Sequence, residues 1–227
     1  MIAPIHRLSK KELIWLGSHR CKHSHTYLEH YSCFLEENPS MEEKVGFLDI
    51  ETSNLDANFG IILTWCIKIK DGNIISNMLN NNDFKQNGSS NMFRIDKRIV
   101  RDLIDEILKL DRLVTHYGRK FDIPFIRTRA LIDGLEFPSF GTIVNDDTYY
   151  MAKHKLKLNS NRLETVAQTL FGKSEKTHLD GAIWIAASRG DKKSLNYILE
   201  HNIIDVEELE KVWNVLRNFS SLRNTSI

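Results

Sequence analysis

An acidic strand near residue 50 constrains the fold of this chain more than any other segment. Residues 45–52 have the sequence VGFLDIET, in which apolar residues lead into Asp49 and Glu51. Residues two positions apart on an extended strand point to the same face of a sheet. We therefore expect two neighbouring carboxylates at the end of a buried strand.

This pair of carboxylates has two interpretations. Like charges held close together repel, and burial makes their ionisation more costly. A divalent cation relieves that repulsion, because Mg²⁺ and Mn²⁺ prefer oxygen ligands. The alternative is a strand that emerges from the core into a solvated acidic loop. The segment alone leaves both interpretations open.

Composition indicates an ordinary globular chain whose net charge creates no strong electrostatic field. The 227 residues are 41% hydrophobic and 27% charged, which suits one sizeable core with elaborations. A net charge of +1 means that a polyanion would have to be bound by local patches or by metal. No long apolar run or signal-peptide pattern is present, and the three cysteines do not indicate a disulfide framework. We expect a cytoplasmic protein with no membrane partner.

The chain divides into a short N-terminal extension (1–44), a main domain (45–219) and a C-terminal tail (220–227). The extension contains a predicted short helix and then the segment CKHSHTYLEHYSC. This segment holds the residue types of a structural Zn²⁺ site, namely Cys21, His23, His25, His30 and Cys33. Their spacing is not that of a standard zinc finger. An ordinary packed extension with surface histidines is therefore the alternative.

The main domain is predicted to be an α/β fold. The predicted elements after the acidic strand are strands over 61–70 and 73–79, a loop over 80–91, a helix over 96–110 capped by Asp96, a strand over 112–116, a helix over 121–134, a strand over 141–146 and helices to residue 218. The Asp-Gly turn at 71–72 joins the first hairpin, which extends the acidic strand into an antiparallel meander. This order predicts a five-stranded mixed sheet with helices on both faces.

Two further carboxylates stand out. Asp122, in THYGRKFDIPFI, begins a helix just beyond the end of a strand, where α/β sheets build their sites. Its alternative role is a helix cap or dipole partner. Asp205 lies on an apolar helix face, with His201 one turn and Tyr197 two turns before it. A histidine there could act as a general base, or could simply pair with the aspartate and stabilise the helix.

Together these motifs resemble the DEDD family of 3′–5′ exonucleases, which have an RNase H-like fold. The order Asp-x-Glu, then Asp122 in HYGRKFDIPF, then the helical Asp205 agrees with the family from about residue 45 to residue 213. The second motif is similar to that of polymerase proofreading domains and of small stand-alone RNase H-like nucleases.

The resemblance implies that Asp49, Glu51, Asp122 and Asp205 bind two Mg²⁺ or Mn²⁺ ions. It implies hydrolysis of phosphodiester bonds from the free 3′ end of single-stranded DNA or RNA. His201 stands four residues before Asp205, which is the spacing of the tyrosine branch, whereas the histidine branch has five. We favour His201 as the base, and Tyr197 is the alternative.

Other hypotheses remain on the same fold. The chain could be a non-catalytic nucleic-acid-binding or scaffolding module, or an endonuclease selective for structured substrates. The presence of all four acids favours catalysis. Several residues have weaker predicted roles: Asp147 as a helix cap or in orienting metal-bound water, Lys153 to Lys157, Lys173 and Lys176 as a phosphate track or solvated surface, and Tyr117, Phe121 and Phe125 in base stacking or core packing. The sequence does not distinguish DNA from RNA.

Overall fold

The computed structural model describes residues 10–37, 43–86, 94–174 and 180–219. The chain forms two compact units, residues 1–44 and 45–227, which are described separately. None of the helices in the described ranges has the length and apolar composition needed to cross a membrane. The predicted tail, 220–227, lies outside those ranges.

The N-terminal unit is small and is built around aromatic rings. Helix α1 (Lys10–Ser18) leads into a tight hairpin closed by a bridge between Arg20 and Thr26, and helix α2 (Tyr31–Glu37) follows. The rings of Trp15 and Tyr27 stack with centroids 5.7 Å apart, and Phe34 packs edge-on against Tyr27. This aromatic cluster provides only a small apolar interior for the unit.

In the described part of the second unit, five strands form one mixed sheet with the order β3-β2-β1-β4-β5. Their bounds are β1 (Val45–Thr52), β2 (Ile62–Ile69), β3 (Ile74–Met78), β4 (Arg112–Thr115) and β5 (Val144–Asp147). The first three strands are an antiparallel meander, and β4 and β5 run parallel to β1. The predicted five-stranded mixed sheet is confirmed.

Helices cover both faces of this sheet. They are α3 (Asn81–Gln86), α4 (Lys97–Ile107), α5 (Asp122–Asp133), α6 (Thr148–Lys155), α7 (Leu163–Phe171), α8 (Gly181–Ser188) and α9 (Lys192–Leu216). Successive β1 residues alternate between the two cores, because Leu48 packs with α4 and α5 whereas Phe47 packs with α7 and α9. The strand is therefore buried on both sides, and the α/β prediction is confirmed.

The predicted capping role of Asp96 is wrong. Asp96 precedes α4, but its side chain makes no cap hydrogen bond. Its carboxylate instead accepts from Arg129 Nε at 2.9 Å, from Arg129 Nη2 at 2.6 Å and from the backbone N–H of Ile62 at 2.8 Å. A buried arginine competes for the carboxylate more strongly than a helix terminus does, because it is a full charge.

The predicted loop at 80–91 is also partly wrong, since Asn81–Gln86 form the short helix α3. Asp83 accounts for the difference. Its carboxylate accepts from the backbone N–H of Asn80 at 2.9 Å and binds the Arg98 guanidinium at 2.9 and 2.7 Å. This ion pair, together with Phe84, which packs against the core, fixes the short helix. Residues 87–91 lie outside the described part of the chain.

The burial of Asp133, at the end of α5, leads us to expect that the stability of the fold depends on pH. Its side chain is buried, and neither carboxylate oxygen has a hydrogen-bond partner within the described ranges. Burial, reinforced by the charge of Asp96, raises the pKa of Asp133 to about 6. An acid with a higher pKa in the folded state stabilises the fold below its unfolded pKa, near 4, and loses that contribution as pH rises through 6.

We therefore expect the free energy of unfolding of Asp133→Asn, compared with that of the parent protein, to be about 2 kcal/mol higher at pH 7 than at pH 4. The parent loses this stability as the buried carboxyl group ionises, and the amide does not ionise. Urea unfolding at both pH values measures this difference. Parallel pH profiles for the two proteins would contradict the prediction.

Candidate active site

Three of the predicted acids meet at the end of β1. The ligand oxygens of Asp49, Glu51 and Asp205 all lie within 4.8 Å of one another. Asp49 and Glu51 are half-buried and Asp205, on α9, is buried. The strand places the first two on one face, and the docking of α9 against β1 and β2 brings in the third. This convergence forms a compact carboxylate group.

Asn202 positions Asp49 and was missed by the sequence analysis. It lies one turn before Asp205 on the buried side of α9, and its Nδ2 donates to Asp49 Oδ2 at 2.5 Å across 153 residues of chain. Its Oδ1 accepts from the hydroxyl of Thr64 on β2. The amide therefore holds the carboxylate of Asp49 in one orientation. A polar residue on the apolar face of α9 was the only sequence signal for this role.

Asp122 lies next to this group but outside the set of three. It is buried at the start of α5, and the backbone N–H of Ile50, between Asp49 and Glu51, donates to its carboxylate. Burial raises the pKa of Asp122 to about 7, and the charge of Asp147 adds to the effect. The structure thus connects Asp122 to β1 through the backbone.

Asp147 ends β5 and organises the loop beside the site. Its side chain caps α6 by accepting from the backbone N–H of Tyr149 at 3.0 Å, which confirms the capping interpretation. The same carboxylate accepts from the backbone N–H groups of Tyr117 at 2.8 Å and Arg119 at 3.1 Å. It therefore fixes the turn between β4 and α5.

That turn is strained and closely packed. Tyr117 has φ 66°, in the left-handed region that few non-glycine residues adopt. At Gly118, a Cβ atom would lie 2.4 Å from the Cβ and Oγ1 atoms of Thr115. Only glycine leaves room for this turn, which delivers Asp122 to the start of α5.

Gly118→Ala is therefore expected to shift the turn. We expect a loss of about 1–3 kcal/mol in the free energy of unfolding, because the new methyl group would overlap the β-branched side chain of Thr115, whose Cβ cannot rotate away. Urea unfolding measures the loss. Gly134→Ala is not a suitable control, since Gly134 has a positive φ of 68°, but Gly181→Ala meets open space and should change stability little.

A cavity of about 420 Å³ opens beside the carboxylates. Its lining residues come from β1, the β4–α5 turn, α6, the start of α7 and α9: Asp49, His116, Tyr117, Tyr149, Arg162, Leu163, Glu164 and Asp205. Tyr117 is 43% exposed. The cavity lining thus combines Asp49 and Asp205 of the carboxylate group with Glu164, the guanidinium of Arg162 and the rings of two tyrosines.

The two candidate bases lie on α9 before Asp205. His201 is buried, whereas Tyr197 is 39% exposed, and their rings meet edge-on with centroids 4.7 Å apart. Neither is among the residues that line the cavity. The assignment of His201 or Tyr197 as the base stays a prediction.

The remaining predicted residues separate into core and surface. Phe125 is buried and Phe121 packs against the same core, so both have the packing role. Lys153 is exposed and its Nζ lies 6.0 Å from the centre of the Tyr149 ring. Lys173 is exposed, and Lys176 lies outside the described ranges.

Comparisons with known proteins agree with this architecture. A model of the RNase H superfamily matches residues 46–217, so the chain belongs to that superfamily. The structure is similar to that of the family B DNA polymerase from the hyperthermophilic archaeon Pyrobaculum calidifontis, with a TM-score of 0.63 and 18% identity over 78% of this chain. The match covers 25% of the polymerase, so the chain spans about a quarter of its length, and the likeness concerns the fold. Comparison with curated proteins gives no match.

Proposed function

We propose that this protein is a metal-dependent 3′–5′ exonuclease of the DEDD type, acting on single-stranded DNA or RNA. The observation that carries the proposal is the convergence of Asp49, Glu51 and Asp205 within 4.8 Å. Three carboxylates at this separation repel one another unless positive charge lies between them. A nucleic-acid phosphate, itself anionic, would not bind beside them without a cation.

The donor set fits a hard divalent cation, because all three side chains offer carboxylate oxygen. We assign Asp49, Glu51 and Asp205 as ligands of two Mg²⁺ or Mn²⁺ ions, with Asp122 as the fourth acid. When bound, such ions make hydroxide accessible near neutral pH and neutralise the charge that develops on phosphate. A nearby cation would also favour the ionised form of Asp122, opposing the effect of burial.

The protein's own residues would orient the reaction. Asn202 holds Asp49 in place. His201 is proposed to accept the proton of the attacking water, with Tyr197 as the alternative, because both precede Asp205 on α9. Arg162 in the cavity wall can pair with a phosphate group.

The cavity supports attack at a strand end. Its volume of about 420 Å³ suits a small-molecule-sized group such as a terminal nucleotide. Tyr117 offers an exposed ring on which a base can stack. An enzyme that binds only the end of a strand needs no extended basic surface, which agrees with the net charge of +1.

The deciding experiment compares linear and circular single strands. DNA and RNA strands of one sequence, labelled at the 5′ end, are incubated with the protein and Mg²⁺ or Mn²⁺. We expect a ladder that shortens from the 3′ end, release of mononucleotides and loss of cleavage in EDTA. A circular strand of the same sequence should stay intact.

The alternatives give different results in the same experiment. Cutting of the circular strand into oligonucleotides would indicate an endonuclease. Binding of the linear strands without cleavage under any metal condition would indicate a non-catalytic nucleic-acid-binding module. The relative rates on DNA and RNA identify the preferred substrate.

A further inference from the structure

A second group of metal-ligand side chains lies in the N-terminal unit. Ligand atoms of Cys21, His23, His30 and Cys33 all lie within 4.8 Å of one another. The Nδ1 atom of His30 is 3.5 Å from Cys21 Sγ and 3.6 Å from Cys33 Sγ. The Nδ1 atom of His23 is 3.9 Å and 3.2 Å from the same two sulfur atoms. We propose that these four side chains bind one structural Zn²⁺ ion.

The four distances match a tetrahedral zinc site. Bonds of about 2.3 Å to sulfur and about 2.0 Å to nitrogen, at the tetrahedral angle, separate each sulfur from each nitrogen by about 3.6 Å. The distances of 3.2–3.9 Å lie around this value. Mixed thiolate and imidazole donors favour zinc over Mg²⁺ or Mn²⁺. Four protein ligands also complete the coordination shell, which is typical of a structural ion.

Hydrogen bonding between thiols and imidazoles explains the arrangement less well. A ring nitrogen carries one hydrogen or one lone pair, which points in one direction. Here the same nitrogen of each histidine faces both sulfur atoms at comparable distances. Two nitrogens and two sulfurs arranged in this way surround a common centre rather than form separate pairs.

Local backbone structure presents the ligands in two pairs. In the hairpin, the backbone N–H of Ser24 donates to the carbonyl of Cys21 at 2.9 Å, and Ser24 has φ 66°. This tight turn supplies Cys21 and His23. The other pair is His30, which directly precedes α2, and Cys33 in the first turn of α2, where the backbone N–H of Cys33 donates to the carbonyl of His30 at 3.1 Å. Residues three apart in a helical turn lie on the same side.

The size of the unit gives an independent reason for a bound ion. In the described part of the unit, the buried hydrophobic residues are Leu16, Cys21, Cys33 and Phe34. A hydrophobic core of fewer than about 70–80 residues rarely supplies enough stability alone, and natural units of this size often add disulfides or a structural metal. Cys21 and Cys33 are free thiols. Zinc would therefore supply the cross-link that the small core lacks.

Metal analysis of the purified full-length protein tests the proposal. We expect one zinc ion per chain in the parent protein and in His25→Ala, because His25 is in the same segment but outside the ligand set. Cys33→Ser and His23→Ala should lose the zinc, and His23→Cys should retain it. The His23 side chain is exposed, so its removal does not open a core cavity. The Co²⁺ form of the parent should show a tetrahedral ligand-field spectrum with a thiolate charge-transfer band.

Two results would overturn the site: unchanged zinc content in both His23→Ala and Cys33→Ser, or a Co²⁺ spectrum without thiolate ligation. Circular dichroism of His23→Ala checks that the second unit stays folded. Because no measurement uses nucleic acid, the outcome is independent of the proposed nuclease activity.

Discussion

Asp205→Asn is expected to slow strand cleavage by about 10³-fold or more while the fold remains intact. The substitution keeps the size of the side chain but removes one of three carboxylates that lie within 4.8 Å of one another. If these acids bind the catalytic cations, losing one charge weakens the stabilisation of the transition state as well as metal affinity. The rate is measured in single-turnover cleavage of a 5′-labelled strand.

A matched control is available on the same helix. Glu200→Gln also removes one negative charge from α9, but this side chain is exposed and outside the carboxylate group. It should cleave at nearly the parent rate. The increase in melting temperature with Mg²⁺ or Mn²⁺ gives a second measurement, which should shrink in Asp205→Asn and persist in Glu200→Gln. Cleavage by Asp205→Asn within tenfold of the parent would refute the metal-ligand role.

Arg129→Met is expected to lower the free energy of unfolding by about 3–5 kcal/mol. The Arg129 and Asp96 side chains are both fully buried, and they pair at 2.6 Å. Arg129 also donates to the carbonyl of Ala57 at 3.2 Å. Burial already raises the pKa of Asp96 despite this partner. Without the guanidinium, the carboxyl group would lose the interactions that offset the cost of removing it from water.

A double variant separates the contribution of the ion pair to stability from the contribution of side-chain packing. Asp96→Leu combined with Arg129→Met should be less destabilised than Arg129→Met alone, because no unpaired charge remains buried. Arg101→Met, on the exposed side of α4, should stay within about 0.5 kcal/mol of the parent. Urea unfolding measures all three. A loss below about 1 kcal/mol in Arg129→Met would contradict the expected role of the pair.

Local patterns predicted the elements of the fold well. The apolar run before Asp49 identified β1, and the Asp-Gly dipeptide identified the β2–β3 hairpin, in whose turn Asp71 has a positive φ of 54°. Their success has a common cause, because strand alternation and turn chemistry are properties of neighbouring residues. The role of Asp96 was mispredicted because its partner, Arg129, is 33 residues away.

The site was predicted in part for the same reason. Periodicity placed Asp49 and Glu51 on one face and Asp205 on the buried face of α9, and the structure brings these three together. Periodicity does not predict how deeply a side chain is buried or how far it lies from another helix or strand. The separate position of Asp122 and the bond from Asn202 to Asp49 therefore came only from the structure.

Asp205 and Asn202 lie on α9, which follows the five described strands in the chain, so the site forms only when this helix docks. Asp205 and Asn202 reach β1 only after the sheet and its other helices have been synthesised. A growing chain that has not yet emerged past α9 possesses Asp49 and Glu51 but lacks their third acid and the amide that orients them. Any chemistry performed here therefore requires that α9 has docked against β1 and β2.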